Sequence, residues 1–347
     1  MKKVLIVAPI LSGKGGTETV LKRVLLEYNG DNNIDMKLLI LGGSRSMAWL
    51  KDIPEDKVII CNIKSKIIRL MWYFFFIIFN RFESMVIINT QLIHVTRYII
   101  NFIGRKNKTK IVSWIHFSLR HSGTVNTKYL KDADLNLAIS SGIASQMMDE
   151  GISGDLIKTI YNPVRTNKAV SLNESEGLRL VYVGRIEYNH QKNFEQLLIG
   201  LSKVKLTNWI LDVYGTGEEE EACKQLADNL NISQNIVWHG WVEDPWQMID
   251  KINALILSSN YEGFPMVLLE ALSRGIPCIA NDCPTGPNDL VKDGINGKLV
   301  KVNNSDDMAN SIEWLFKNKN SLKQKDIQES IYNFYDKQYF SRLTKLL

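Results

Sequence analysis

Twelve short apolar runs, rich in β-branched residues, recur along this chain of 347 residues, most of them followed by a helix-compatible stretch. Six lie in the first half ("KVLIVAPI", "MKLLIL", "KVIIC", "MVIINT", "KIVSWIHF", "LNLAISS") and six in the second ("LRLVYVGR", "WILDVYGTG", "NIVWHGWV", "NALILSSN", "IPCIAND", "GKLV"). Strands buried on both faces read as continuous apolar runs, and parallel neighbours need a helical crossover between them. The pattern therefore predicts an α/β fold with parallel sheets. Between the two series, "YNPVRTN" at Tyr161–Asn167 breaks the rhythm, because the residue before a proline is held extended. A chain of this length exceeds one ordinary core. The reading is two doubly wound domains in tandem, residues 1–163 and 164–329. An aromatic amphipathic helix, "IYNFYDKQYFSRLTKLL", is expected over residues 330–347.

The opening "MKKVLIVAPIL" runs into a glycine turn with no small-residue cleavage site, so it is expected to be a first strand and not a leader. The four cysteines form no C-x-x-C pair and are expected to be free thiols in the cytoplasm. Charge is uneven. Residues 1–165 hold 23 Lys/Arg against 13 Asp/Glu, whereas the remainder hold 19 against 24. A basic first half points to an anionic neighbour (phospholipid, a phosphorylated acceptor or nucleic acid) or to nothing more than unequal surface lysines. Within it, Leu70–Phe79 is an uninterrupted uncharged stretch, half of what a spanning helix requires. Either it is a buried core helix, or one face enters a membrane surface beside Lys64, Lys66 and Arg69.

Candidate chemistry gathers at strand ends, where open α/β sheets bind ligands. In "LSGKGGTET", Gly13, Gly15 and Gly16 let a ligand approach the backbone and the next helix N-terminus favours an anion. Glu18 stands where a dinucleotide fingerprint would have its third glycine, which disfavours an oxidoreductase. Arg185 and Lys192 in "VGRIEYNHQKN" suit a diphosphate. Gly215 and Gly217 in "VYGTG" offer room for a base or ribose. In "EGFPMVLLE", Pro265 is expected to be the first helical residue, with the Met266 and Val267 amides free to meet an anion. Glu262 and Glu270 bracket that helix end and can accept hydrogen bonds from sugar hydroxyls. The arrangement fits a diphosphate with a sugar at each end, a nucleotide sugar. Asp132 and Asp134 form a D-x-D pattern ahead of a strand, on the wrong sheet edge for a metal site, and are set aside.

In order along the chain, the glycine loop, "HFSL", "LAISSGI", "NPV", "YVGR", "YGTG", "GW", "EGFPMVLLEALSRGIPCIANDCPTGPNDLV" and "NGKLV" resemble the retaining nucleotide-sugar glycosyltransferases of family 4. Within that family they are similar to the lipopolysaccharide 1,6-galactosyltransferases, which take galactose from UDP-galactose. The resemblance implies the GT-B fold, an α/β architecture of two Rossmann-like domains facing across a cleft. The first domain would bind the acceptor and the second the nucleotide sugar, with the final helix crossing back onto the first. It also implies roles. Gly15 and Gly16 would face the donor's diphosphate and sugar, and His116 would lie beside the transferred sugar. Arg185 and Lys192 would neutralise the departing diphosphate. Gly215, Trp241 and Val242 would hold the nucleoside. Glu262 would contact the sugar, Phe264, Pro265, Met266 and Val267 the phosphates, and Glu270 the ribose. No cofactor or metal is implied, and no nucleic acid. The partners implied are a UDP-sugar donor and a lipid-linked or lipopolysaccharide oligosaccharide acceptor, with peripheral contact at the cytoplasmic face of the inner membrane. Three rivals stand beside this: transfer of glucose or N-acetylglucosamine in capsule or exopolysaccharide synthesis, a nucleotide-sugar epimerase or hydrolase of the same architecture, and a non-catalytic partner subunit of the same fold.

Overall fold

Buried β-branched runs joined by amphipathic helices can satisfy their backbone only by pairing side by side, and all twelve runs do so. The structure is a computed structural model describing residues 1–347 apart from Lys14, Ser122, Thr124 and Glu174. Two compact units are present: Met1–Pro163 with Phe340–Leu347, and Val164–Tyr339.

The first unit contains β1 (Lys2–Ala8), β2 (Ile34–Leu41), β3 (Val58–Cys61), β4 (Ser84–Ile87), β5 (Lys110–Ile115), β6 (Leu135–Ala138) and β7 (Ile157–Thr159). They form one parallel sheet in the order β3-β2-β1-β4-β5-β6-β7. The chain winds outward from β1 in one direction and from β4 in the other, so the switch point lies between β1 and β4. Crossovers are made by α1 (Gly16–Glu27), α2 (Lys66–Phe79), α3 (Thr90–Phe102) and α4 (Ser141–Asp149). Asn89 and Ser140 cap α3 and α4, their side-chain oxygens accepting from the amides of Leu92 and Ile143. The edge strand β7 was not expected; three residues containing a lysine carry no readable pattern.

The apolar stretch in α2 is only partly a core helix. Tyr73 and Ile77 are buried, and the Tyr73 hydroxyl hydrogen bonds to Thr96 at 2.7 Å. The opposite face is exposed at Ile67, Ile68, Met71, Phe75 and Phe79.

The second unit holds β8 (Ser171–Leu172), β9 (Leu178–Val183), β10 (Trp209–Tyr214), β11 (Ile236–Gly240), β12 (Lys251–Ile252), β13 (Ala254–Leu257), β14 (Cys278–Asn281) and β15 (Gly297–Val300). Six of them make a parallel sheet in the order β11-β10-β9-β13-β14-β15, with β8 and β12 paired apart. Here the switch point lies between β9 and β13. The helices are α5 (Phe194–Ser202), α6 (Glu220–Asn229), α7 (Met266–Leu272), α8 (Pro287–Leu290), α9 (Ser305–Asn318) and α10 (Gln324–Ser330). The expected single helix over 330–347 is instead a 3-10 turn at Tyr332–Phe334 followed by α11 (Asp336–Leu346). The break has a cause: Val164 donates to the Phe334 carbonyl and accepts from the Asp336 amide, a strand-like bridge that holds Tyr335 extended. Beyond it, Phe340 meets Tyr28 edge-on, the Tyr28 hydroxyl reaches Thr344 at 2.8 Å, and Lys110 donates to the Leu346 carbonyl.

Candidate active site

In the second unit the expected site residues all follow the carboxyl ends of strands. Arg185 and Lys192 come after β9, Gly215 after β10, Trp241 and Val242 after β11, and Glu262 after β13. Because β9 and β13 are neighbours at the switch point, the loops carrying Lys192 and Glu262 leave the sheet side by side and are hydrogen-bonded to each other, Asn260 donating to the Gln191 carbonyl at 2.8 Å.

An ion pair joins the two loops. Lys192 Nζ lies 2.7 Å from Glu262 Oε1, with the side chains 16% and 9% exposed. Buried charges persist when they are paired and held by further hydrogen bonds. The holding is visible on both sides. The Lys192 amide donates to Glu187, whose other carboxylate oxygen pairs with Arg185 at 2.7 Å. Ser258 Oγ donates to the Lys192 carbonyl, and Thr285 Oγ1 donates to the Glu262 carbonyl. Arg185 keeps an exposed guanidinium that also donates to Gln191 Oε1. Its carbonyl accepts from the Tyr182 hydroxyl at 2.6 Å, and burial raises the Tyr182 pKa well above normal, so that donor stays protonated. An ammonium and a guanidinium, each oriented by its own carboxylate, thus line one wall.

Pro265 is not the first helical residue. It is the N-cap of α7 in an extended conformation, and the helix starts at Met266. The consequence expected of that helix end survives the shift, since the Met266 and Val267 amides find no acceptor among the described residues. The approach to α7 is held by Gly286, at φ +98°, where a Cβ would come within 2.6 Å of Pro265 and 3.1 Å of Phe264. Glu270, one turn into α7, accepts from Trp246 Nε1 at 2.9 Å, and the Arg274 guanidinium stacks on the Trp246 ring at 4.6 Å. Trp241 is exposed just past the end of β11 and Val242 is half-buried.

Gly215 and Gly217 are needed by the packing of the chain itself. A Cβ on Gly215 would sit 1.8 Å from the Gly184 carbonyl oxygen, and one on Gly217 1.8 Å from that of Ile186. The room they create is filled by the chain's own backbone, which lets the loops after β9 and β10 continue pairing beyond the sheet. Cys283 lies nearby, but burial and the Glu262 carboxylate push its thiol up to about 12, so it is no nucleophile at neutral pH.

Several residues that build this wall carry no signal in the sequence. Asn193, at φ +44°, follows Lys192 and caps α5. Its side-chain amide donates to Gln196, Asn260 and Asn303, and Gln196 in turn bonds Asn281. These amides are separated by up to 110 residues in the chain. Trp246 was equally silent. Only the proline before it, which begins a 3-10 turn, marks its neighbourhood.

In the first unit, Gly15 caps α1 and Gly16 opens it. Glu18 is buried, its carboxylate accepting from Ser12 Oγ and the Gly13 amide, both at 2.7 Å, and from the Gly15 amide at 3.2 Å. Those three donors are satisfied from within the loop by the residue that stands in place of the third glycine. His116 follows β5, buried against Trp114, with no partner for Nε2 among the described residues. Burial pushes its pKa down to about 3, so the imidazole is neutral. A cavity of about 710 Å³ lies at this unit's own switch point, lined by Ile10, Leu41, Ile88, Val95 and Phe117, with Lys66 and Arg69 at its edge. Asp132 and Asp134 are structural: Asp132 binds His94 at 2.6 Å and Asp134 binds Arg97 at 2.5 Å. Among the described residues, no group of three His, Cys, Asp or Glu could hold a metal ion.

Comparison with known proteins identifies this framework. Residues 164–333 match the family model described as glycosyl transferases group 1. The chain is 33% identical to the lipopolysaccharide 1,6-galactosyltransferase of Escherichia coli K12, covering 99% of this chain and 98% of the relative. It is 31% identical to the Salmonella typhimurium LT2 protein of that name, with the same coverage. Among solved structures, the apo form of the lipopolysaccharide outer core galactosyltransferase WaaB superposes with a TM-score of 0.87 at 32% identity, over 99% of this chain and 98% of that one. Anabaena HepE, solved with UDP, shares the fold alone, with a TM-score of 0.82 at 18% identity. The strand order, the strand-end site and a likeness that runs the length of the chain lead to one conclusion: this protein belongs to the group 1 glycosyl transferases and has their GT-B architecture.

Proposed function

We propose that the protein transfers a hexose, galactose from UDP-galactose, to a lipopolysaccharide core or related cell-surface glycan, with retention at the anomeric carbon and without a metal ion. The observation that carries the reading is the Lys192–Glu262 pair with Arg185 beside it at the switch point of the second unit. The names and full-length similarity of the two enterobacterial relatives support galactose and lipopolysaccharide. The four cysteines, all free and buried, fit a reducing cytoplasm.

In this reading the diphosphate takes Lys192, Arg185 and the Met266 and Val267 amides as its partners, Glu262 meets hydroxyls of the sugar, and Glu270, oriented by Trp246, meets the ribose. The bond from C1 to the diphosphate oxygen breaks toward an oxocarbenium-like transition state, and its electron pair leaves on the UDP. Negative charge grows where the cations stand, so they stabilise the transition state more than the ground state. The acceptor hydroxyl attacks C1 from the face the UDP is leaving, and its proton passes to the departing phosphate oxygen. A pair of fixed cations then performs the work a divalent ion does in other transferases. The apolar cavity of the first unit, edged by Lys66 and Arg69, is the proposed place of the acceptor.

The direct test is incubation with a panel of UDP-sugars and a galactose-deficient lipopolysaccharide core, in excess chelator, with the product's anomeric configuration read by NMR. An α-galactoside formed from UDP-galactose is the expected product. Transfer from another UDP-sugar only, an inverted product, or full dependence on added metal overturns the corresponding part.

A further inference from the structure

A guanidinium on a long, flexible stem helps a departing phosphate only if it is already in place, because placing it during the reaction costs conformational entropy. Arg185 is the more exposed of the two cations at the candidate site, its side chain 66% exposed against 16% for Lys192. Packing therefore does not fix it. Two acceptors do. Glu187 Oε1 lies 2.7 Å from its Nη1, and Gln191 Oε1 accepts from its Nη2 at 3.0 Å. Both acceptors are themselves tied to Lys192: the other Glu187 oxygen receives the Lys192 amide at 3.1 Å, and Gln191 is the residue before it. The guanidinium fork has five N–H donors, so these two contacts leave others to meet phosphate oxygens.

Gln191 differs from Glu187 in being held also by the neighbouring loop. Its Nε2 donates to the Tyr261 carbonyl at 3.2 Å. The next residue on each side makes the Lys192–Glu262 pair, so positions 191 and 192 meet 261 and 262 in step. Asn260 completes the hold. Its Nδ2 donates to the carbonyls of Asn189 and His190 at 3.2 and 2.7 Å, and its Oδ1 accepts from Asn193. Below that point the loop after β9 closes on itself, Phe194 donating to the Glu187 carbonyl and Glu195 to that of Tyr188. The partners of the Gln191 amide also fix which way it faces, since a flip would set its N–H₂ against the guanidinium and its oxygen against a carbonyl. Position 191 thus requires one acceptor and one donor on the same short side chain. A carboxylate supplies the first alone, and an apolar side chain neither.

We propose that Gln191 is a positioning residue: it ties the Arg185 guanidinium to the loop that carries Glu262, so that two cations and a carboxylate meet the donor as one pre-formed group. The inference deepens the transferase reading and rests on it for the diphosphate as ligand. Gln191 acts through Arg185 and touches no reacting atom. Its removal has a distinct kinetic signature, because a guanidinium that must be placed anew in every turnover loses transition-state stabilisation more than ground-state binding.

The test is a double-mutant cycle in the transfer assay with UDP-galactose. Gln191→Met should lower kcat about tenfold and change the donor KM less than about threefold. Gln191→Glu keeps the acceptor for Arg185 and loses the donor to Tyr261; it should recover most of the lost kcat, with its added charge read in KM. In an Arg185→Ala background, Gln191→Met should cost less than about twofold, since no fork remains to be placed. A Gln191→Met protein of wild-type kcat overturns the proposal. So does a loss undiminished in Arg185→Ala, or a Gln191→Glu protein as slow as Gln191→Met, either of which would make Gln191 only a strut between loops. Should Gln191→Met fail to fold, Gln191→Ala takes its place. A second reading needs no turnover: in isotope-labelled protein, the Arg185 side-chain resonances, assigned by their absence from Arg185→Ala, should show slow guanidinium rotation in wild type and averaged Nη signals in Gln191→Met. If wild type transfers from no UDP-sugar, the transferase reading fails and this spectrum alone decides. Averaged signals in wild type, or slow rotation that survives in Gln191→Met, overturn the positioning role.

Discussion

Replacing Glu262 by glutamine should move donor affinity and turnover in opposite directions. The carboxylate lies 2.7 Å from the Lys192 ammonium, and the two side chains are 9% and 16% exposed. Such a pair sits between exposed pairs, worth about 0–1 kcal/mol, and buried pairs whose breaking costs about 3–5 kcal/mol, so about 2 kcal/mol is a fair value for its hold on Lys192. A diphosphate arriving at Lys192 must compete with that hold. In Glu262→Gln the competitor is gone while an amide oxygen still accepts from the ammonium, so stability should drop by only about 1 kcal/mol and UDP should bind about 5–30-fold tighter. Turnover should nevertheless fall by about 10²-fold, because the group that orients the sugar has lost its charge. The complementary Lys192→Met should weaken UDP at least about tenfold and unfold more easily than Glu262→Gln, since it leaves a carboxylate unpaired in a confined place. The double variant should recover part of that stability, which a double-mutant cycle measures. Calorimetry with UDP, urea denaturation and a UDP-release assay give the three numbers. If Glu262→Gln binds UDP no more tightly than wild type and transfers sugar as fast, the pair does not stand at the donor phosphates and the site has been misplaced.

Three further outcomes follow from the geometry. Gly215→Ala puts a methyl group 1.8 Å from the Gly184 oxygen at φ +149°; the strain, about 3 kcal/mol, should lower the melting temperature by about 6–12 °C, and an unchanged melting curve would show that the two loops are not pressed together. Trp246→Phe keeps the ring under Arg274 but removes the donor to Glu270, and should raise the donor KM about fivefold with kcat nearly unchanged; a kcat loss alone would place Glu270 elsewhere in the reaction. His116 stays neutral in the folded chain down to about pH 3, whereas the unfolded chain takes up that proton near its normal value of 6.5. The unfolded state therefore binds more protons in that window, and stability rises with pH through it. Wild type should lose about 1.4 kcal/mol between about pH 7.5 and pH 5.5 on this account, and His116→Asn should lose that much less in urea titrations at the two pH values.

The parts of the fold that were legible are those with a local cause. Twelve strands could be read because parallel strands buried on both faces are continuous apolar runs, and the domain break because Asn162–Pro163 holds the chain extended. What escaped were elements whose stability comes from partners. The edge strand β7 is too short to show a pattern, and the break before α11 depends on Val164, 171 residues from Tyr335, pairing with the chain around it. Glu18 was legible as an obstacle to a dinucleotide, though not as the group that satisfies the glycine loop. The glycines of "VYGTG" were legible as a place of close backbone approach, but such an approach looks the same in a sequence whether the approaching atoms belong to a ligand or to the chain.

At the site, chemistry and placement divide in the same way. Sequence alone determined that two cations follow one strand and that two carboxylates stand about a helix start, because those are local facts. It could not determine that Lys192 meets Glu262 across 70 residues of chain, or that an amide network from Asn193 to Asn303 steadies the lysine. Those depend on β9 lying against β13, a choice of neighbours made by the burial of whole strands and helices and encoded in no single stretch. The same holds for α2. Its ten uncharged residues are as compatible with a core as with a surface, and only the packing of one stripe on the sheet left the other facing outward.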